Sequence, residues 1–174
     1  ADNSRRHAQM AYSYISELPP YRQLVFGADK FGKGKVAAGT LAYDKKRAFG
    51  WGKKGDLKAE KFYKQGALYG AEKGSGEALF RLDLADNGLY LVTMNITADK
   101  PIGAMDLSLN DRVLVSGLKV PARTVQNIIV PVWVENNRAE FKFNGNWSIS
   151  QISLQRLLGE TEDYSIRRSF WRSS

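Results

Sequence analysis

The second half of the chain alternates apolar and polar positions with the period of two that marks a strand with one face buried. Phe80, Leu82 and Leu84 alternate with Arg81 and Asp83, and Tyr90, Val92, Met94 and Ile96 share one face with Thr93, Asn95 and Thr97 on the other. Met105, Leu107 and Leu109 share one face against Asp106 and Ser108, and Ala139, Phe141 and Phe143 do so against Glu140 and Lys142. Asp86-Asn87-Gly88, Asn110-Asp111, Asn136-Asn137 and Asn144-Gly145 separate these runs, and such residues accept the left-handed backbone of tight hairpins. Residues 124–134 are apolar on both parities, which predicts a strand covered on both faces, and Pro131 marks an edge or a bulge because it cannot donate to a ladder. In the last predicted strand, Ser148–Arg156, Ile149 has one parity and Ile152 and Leu154 the other, which predicts a bulge.

Short strands joined by Asn/Asp/Gly turns, with no helical period, predict an all-β fold. The form expected is a two-sheet antiparallel sandwich over residues 22–157. Its expected core contains Phe80, Leu82, Tyr90, Val92, Met94, Leu107, Val130, Phe141 and Ile152. Gln23–Phe26, Thr40–Tyr43 and Arg47–Trp51 read as outer strands, with long Gly/Lys-rich loops at 28–39 and 52–77. Residues 1–21 read as a leader, with a short helix at 8–18 stopped by Pro19 and Pro20. Residues 158–174 read as a linker toward a following domain.

Composition narrows the chemistry. The 174 residues include no cysteine and one histidine, His7, so disulfides, thiolate nucleophiles and Cys- or His-based metal sets have almost no donors to use. No run of eighteen apolar residues is present, so no helical membrane span is expected. No G-x-S-x-G elbow occurs, and Asp83, Asp106 and Glu140 fall on outward strand positions. The chain is therefore expected to have no catalytic activity of its own. Phe31-Gly32-Lys33-Gly34-Lys35 lacks the ending and the strand–helix setting of a phosphate loop. The net charge of +8 is uneven: residues 1–77 hold fifteen Lys/Arg against eight Asp/Glu, and residues 78–157 hold eight against seven.

The ordered segments LVFG (24–27), Tyr43 with AFGWG (48–52), LFRLDLADNGLYLVTMNI (79–96), DLSLNDRVL (106–114), TVQNIIVPVWVENNRAEFKFNG (124–145) and SISQISLQRL (148–157) carry a family likeness. Together they resemble the galactose-binding-like jelly-roll module that accompanies many bacterial polysaccharide-degrading enzymes. They also resemble the N-terminal module of rhamnogalacturonan acetylesterase-like proteins. The resemblance implies a jelly roll, and a secreted or periplasmic accessory that binds a polysaccharide or oligosaccharide beside a catalytic domain. LVFGAD lacks the first Asp of the family's FDFG-like strand end, so no calcium or other cofactor is expected from that position.

Basic and aromatic residues interleave where the positive excess lies. Tyr43, Arg47, Trp51, Lys53 and Lys54 form one candidate ligand surface, and Asn146 and Trp147 form a second at a predicted turn. Aromatic faces suit sugar rings and cations suit carboxylated glycans. Trp51 shares the parity of Phe49, so it either presents its ring or packs inward with it, and Trp147 has the same two choices. Three functions are weighed: an accessory module binding acidic glycans, a structural spacer or protein-interaction domain, and, with least support, a nucleic-acid binder using the same stacking and basic groups.

Overall fold

The structure is a computed structural model that describes residues 22–27, 36–53 and 56–159. The predicted leader, the Phe31–Lys35 loop, Lys54 and the chain beyond 159 lie outside these residues. Twelve strands run β1 (Arg22–Val25), β2 (Val36–Ala37), β3 (Phe49–Lys53), β4 (Lys58–Lys64), β5 (Ala67–Ser75), β6 (Ala78–Asp83), β7 (Gly88–Ile96), β8 (Ile102–Leu109), β9 (Arg112–Val120), β10 (Gln126–Val134), β11 (Arg138–Ile149) and β12 (Gln151–Gly159). They form a five-stranded sheet, β10-β7-β12-β1-β2, packed on a seven-stranded sheet built around β11. All pairings between these strands are antiparallel except the short β1–β2 contact. This is the two-sheet antiparallel sandwich that the alternation predicts, of the jelly-roll type that the resemblance implies.

The inner faces meet in one hydrophobic core. Tyr90, Val92, Met94, Ile152 and Leu154 come from the five-stranded sheet, and Phe80, Leu82, Leu107, Phe141 and Phe143 from the other. Of the expected core, Val130 alone is only partly buried. It lies on β10, the edge strand of its sheet, whose other face is open: Ile129 is 61% exposed. The expectation that 124–134 is covered on both faces is thus corrected, and Pro131 sits on an edge strand as its missing donor requires.

The turns divide into two kinds. Asn110-Asp111 forms a two-residue hairpin loop between paired β8 and β9, with both residues at positive φ. Asp86-Asn87-Gly88 and Asn136-Asn137 instead carry the chain from one sheet to the other, so the hairpins expected there are arches. The arches clasp each other: the Asn137 backbone N–H donates to Asn87 Oδ1 at 2.7 Å, and Asn137 Nδ2 donates to the Leu84 and Ala85 carbonyls. The Tyr90 hydroxyl, at the end of a fully buried side chain, donates to the Asp86 carbonyl at 2.6 Å.

Asn144-Gly145 is no hairpin either. It lies inside the continuous β11, opposite Gly76, and both glycines have φ of +78. On either side of this kink β5 and β6 pair with β11 in one uninterrupted register, Ser75 facing Asn146 and Ala78 facing Phe143. The parity slip after Ile149 has a related cause. Ser150 is where the chain passes from one sheet directly into the other, so the inward face changes there. A bulge does occur in the last strand, but later, between Arg156 and Leu158.

The loop expected at 52–77 is mostly the β4–β5 hairpin, closed by Gln65-Gly66 at φ of 50 and 79. Its Lys58 and Lys61 stand exposed on β4, a sheet edge, where charge discourages pairing with another chain.

Candidate functional site

The first predicted surface disperses in three directions. Trp51 is 1% exposed and donates its indole N–H to the Gly39 carbonyl at 2.8 Å, so it is core rather than a stacking platform. Phe26, Phe80 and Phe143 surround it with ring centroids 5.1–6.0 Å away. Gly50 makes this packing achievable. At φ of +144 it lets the 41–43 segment run against β3, where a Cβ would stand 2.4 Å from the Ala42 oxygen. Trp51 N–H then bonds to the Leu41 carbonyl, and Tyr43 N–H to the Trp51 carbonyl.

Tyr43 and Arg47 remain at the surface but are already engaged. The Tyr43 hydroxyl donates to Asp83 Oδ2, Arg81 Nε donates to Asp83 Oδ1 at 2.8 Å, and the Arg81 guanidinium lies 4.4 Å above the Tyr43 ring. The hydrogen bond to Asp83 pushes the Tyr43 phenol above its ordinary pKa, with desolvation adding to it, and the same carboxylate raises Arg81. Arg47 donates to the Ala42 and Phe49 carbonyls and covers the Phe49 ring. These groups fasten the 41–48 loop to the outer face of β6, and one face of the Tyr43 ring is taken by Arg81. Lys53 stands apart and shares Glu77 with Lys142 at 3.8 and 3.9 Å.

The second predicted surface survives in half. Trp147 is 2% exposed, stacks on Trp51 and donates to the Gly76 carbonyl at 3.1 Å. Asn146, its exposed neighbour on β11, lines a cleft of about 200 Å³. Lys73 from β5, Glu60 from β4 and Lys100 from the β7–β8 connection reach the same cleft, with Pro101 and Ile102 as its apolar wall. Register explains the convergence. Asn146 faces Ser75, Lys73 faces Ser148, and Lys58 on β4 faces Lys73, which places Glu60 close by on the same hairpin.

Lys73 Nζ bonds to Glu60 Oε1 at 3.3 Å, with the Glu60 side chain only 11% exposed. Glu60 Oε2 is buried with no hydrogen-bond partner among the described residues. The Lys73 ammonium offsets part of the cost of burying this carboxylate. Two ammonium groups against one carboxylate leave the cleft net positive. Chemically it offers cations, one strong acceptor and one amide. A loop at 52–77 gives Glu60 and Lys73 no shared position, and only the β4–β5 hairpin pairs them. The signal was Gln65-Gly66, flanked by Phe62-Tyr63 and Leu68-Tyr69. Among the described residues no group of three His, Asp or Glu side chains could hold a metal ion, and no helix is long and apolar enough to cross a membrane.

No protein-family model and no curated protein matches the chain. Solved structures do share its fold, and they define its class as a β-sandwich of the kind found in plant receptor ectodomains. The ANXUR2 extracellular domain from Arabidopsis thaliana is 10% identical over 78% of this chain and 41% of its own, with a TM-score of 0.58. The ANXUR1 extracellular domain from the same plant is 12% identical over 78% and 42%, with a TM-score of 0.57. The plant receptor FER, solved with the peptide RALF23 and LLG2, is 11% identical over 81% and 41%, with a TM-score of 0.55. The chain spans about two-fifths of the length of these ectodomains. At such identity the likeness is one of fold.

Proposed function

We propose that this chain is a non-catalytic carbohydrate-binding module of a larger extracytoplasmic glycan-processing protein. It takes an acidic oligosaccharide in the cleft of Glu60, Lys73, Lys100 and Asn146. The observation that carries this reading is the meeting of Lys73, Lys100 and Asn146 on one cleft, in which Glu60 offsets only one of the two ammonium charges. A uronate carboxylate finds the ammonium groups. Asn146 can serve either side of a hydroxyl, since its amide both donates and accepts. The sequence likeness to modules of polysaccharide-degrading enzymes supports the accessory role and a catalytic neighbour in the parent chain. Trp147, almost wholly buried, backs this cleft beside Asn146, whereas Trp51 is not part of its lining.

Titration calorimetry with uronic-acid oligosaccharides at low and high salt tests the reading. Affinity should fall as the Debye length shrinks from about 10 Å at 0.1 M toward 3 Å at 1 M. Lys73→Ala with Lys100→Ala should flatten that dependence, and Asn146→Ala should weaken binding at every salt concentration. No heat at low salt, or a double lysine variant that binds like the parent, overturns it. A protein-interaction domain is the second reading. It is favoured by Tyr63 and Leu68, which face each other across β4 and β5 and are 67% and 53% exposed. The FER ectodomain, of similar fold, is itself solved with a peptide and LLG2.

A further inference from the structure

Among the described residues the five-stranded sheet ends at β10, and this edge is unlike the other long ones. β4 carries Lys58, Lys61 and Lys64, and β9 carries Arg112 and Lys119. Such charges guard an edge strand against pairing with another chain. β10 has no charged residue in its nine, in a chain of net charge +8. Ile129 stands 61% exposed on its outer face, and Ile128 and Val130 on its inner face are only partly buried.

Two hydrogen bonds give the direction of the backbone groups on this edge. Asn95 of β7 faces Asn127, but its carbonyl accepts the Ser150 N–H at 2.9 Å, on the β12 side. Asn95 and Asn127 are therefore a pair that exchanges no bonds, and the N–H and carbonyl of Asn127 point away from β7. Pro131 has the same parity, and its carbonyl accepts from Arg112 Nη1 of the other sheet at 3.1 Å. Ile129 lies between them and turns its groups outward as well. Neither the Asn127 nor the Ile129 N–H has a partner among the described residues.

We infer that the chain pairs with a second copy of itself, edge to edge along β10, joining the two five-stranded sheets into one. A two-fold axis at Ile129 sets that residue opposite its own copy, and the two exchange both backbone bonds. The Asn127 N–H then meets the Pro131 carbonyl of the second copy. That oxygen has a second lone pair beside the one Arg112 uses, and proline's missing N–H leaves only an exposed carbonyl unmatched. Ile128 comes opposite Val130, so the pairing covers the two residues that the single sheet leaves half-open. No charge faces a like charge along the strand, and a charged partner strand would gain nothing from this row. An isologous contact also closes at two copies. None of Glu60, Lys73, Lys100 and Asn146 belongs to β10, so the inference does not rest on the glycan reading.

Sedimentation equilibrium on the full chain over a concentration series should show a reversible monomer–dimer balance. Amide hydrogen exchange at Asn127 and Ile129 should slow as the dimer fills. Ile129→Lys sets like charges face to face at the axis and should raise the dissociation constant at least about tenfold, with the melting temperature of the monomer unchanged. Ile129→Cys, in a chain without cysteine, should give a disulfide-linked dimer under mild oxidation. Opposed Cα atoms in a bonded pair lie about 5.5 Å apart, within disulfide reach. Val113→Cys, at a position 68% exposed on β9, is the control and should link far more slowly. Three results overturn the inference: a monomer at millimolar concentration, a dimer that Ile129→Lys leaves intact, or Val113→Cys linking as fast as Ile129→Cys. Uronate titration judges the glycan reading separately.

Discussion

Trp51 and Trp147 stack in the middle of the sandwich, with ring centroids 5.4 Å apart and an interplanar angle of 28°. They lie 96 positions apart in the chain and are both almost wholly buried, and each spends its one polar atom on a carbonyl of a neighbouring loop, Gly39 and Gly76. The pair therefore joins β3 to the kink of β11 and holds two loops besides. Burial of this kind is incompatible with stacking on a ligand. Trp51→Ala should cost about 3–5 kcal/mol, the range for emptying a large aromatic site in a core. Denaturant unfolding checks it, and a Trp51→Ala protein as stable as the parent would contradict the packing.

Gly50→Ala should be nearly as damaging for a smaller change. Its φ of +144 is strained for any side chain, and the added Cβ would enter the backbone of Ala42 and Tyr43. The expected cost is at least the roughly 1–3 kcal/mol of a forced backbone conformation. Thermal melts measure it, and Gly52→Ala, where a Cβ finds its nearest neighbour at 4.0 Å, is the matched control.

Asp56 gives the fold an acid-sensitive tie. It accepts the Ser75 backbone N–H and the Ser75 hydroxyl, both at 2.7 Å, and these bonds hold its carboxyl below the ordinary value of 3.8. A depressed folded pKa means stability that is full above 3.8 and is lost as pH falls through the lower folded value. Asp56→Asn should therefore lower the melting temperature near neutral pH, and the difference should shrink as pH falls below 3.8. A difference constant with pH refutes the tie.

Tyr43 behaves in the opposite sense. Its hydrogen bond to Asp83 raises the phenol above 10.0, so the stability it adds is full below 10.0 and is lost as pH rises through the folded value. Spectrophotometric titration should show one tyrosine ionising later than an ordinary phenol. That late step should vanish in Tyr43→Phe and move to lower pH in Asp83→Asn.

Much of the architecture was decided locally. Alternation at 80–84, 90–96, 105–109 and 139–143 places one apolar face per strand, and a sandwich is how such faces are buried without helices. Asn110-Asp111 specifies its hairpin outright, because a two-residue loop with both φ positive suits only a few residue types. Pro131 marks an edge for want of a donor.

Other features belong to the tertiary structure, because they depend on which surface lies opposite. Asp86-Asn87-Gly88 and Asn110-Asp111 have similar turn chemistry, yet one arches between sheets and the other closes a hairpin. The distinction rests on where β6 and β7 find their partners, which no local signal encodes. Trp51 and Trp147 illustrate the same limit: the residues that suit a ligand platform also suit a core, and only a partner across the sandwich chooses between them. The lysine cleft is likewise made by register. β11 brings Asn146 beside β5, and the β4–β5 hairpin brings Glu60 and Lys73. The sequence supplied strands, edges and charge. Long-range pairing determined which side chains share a cavity, since residues far apart in the chain become neighbours only when their strands do.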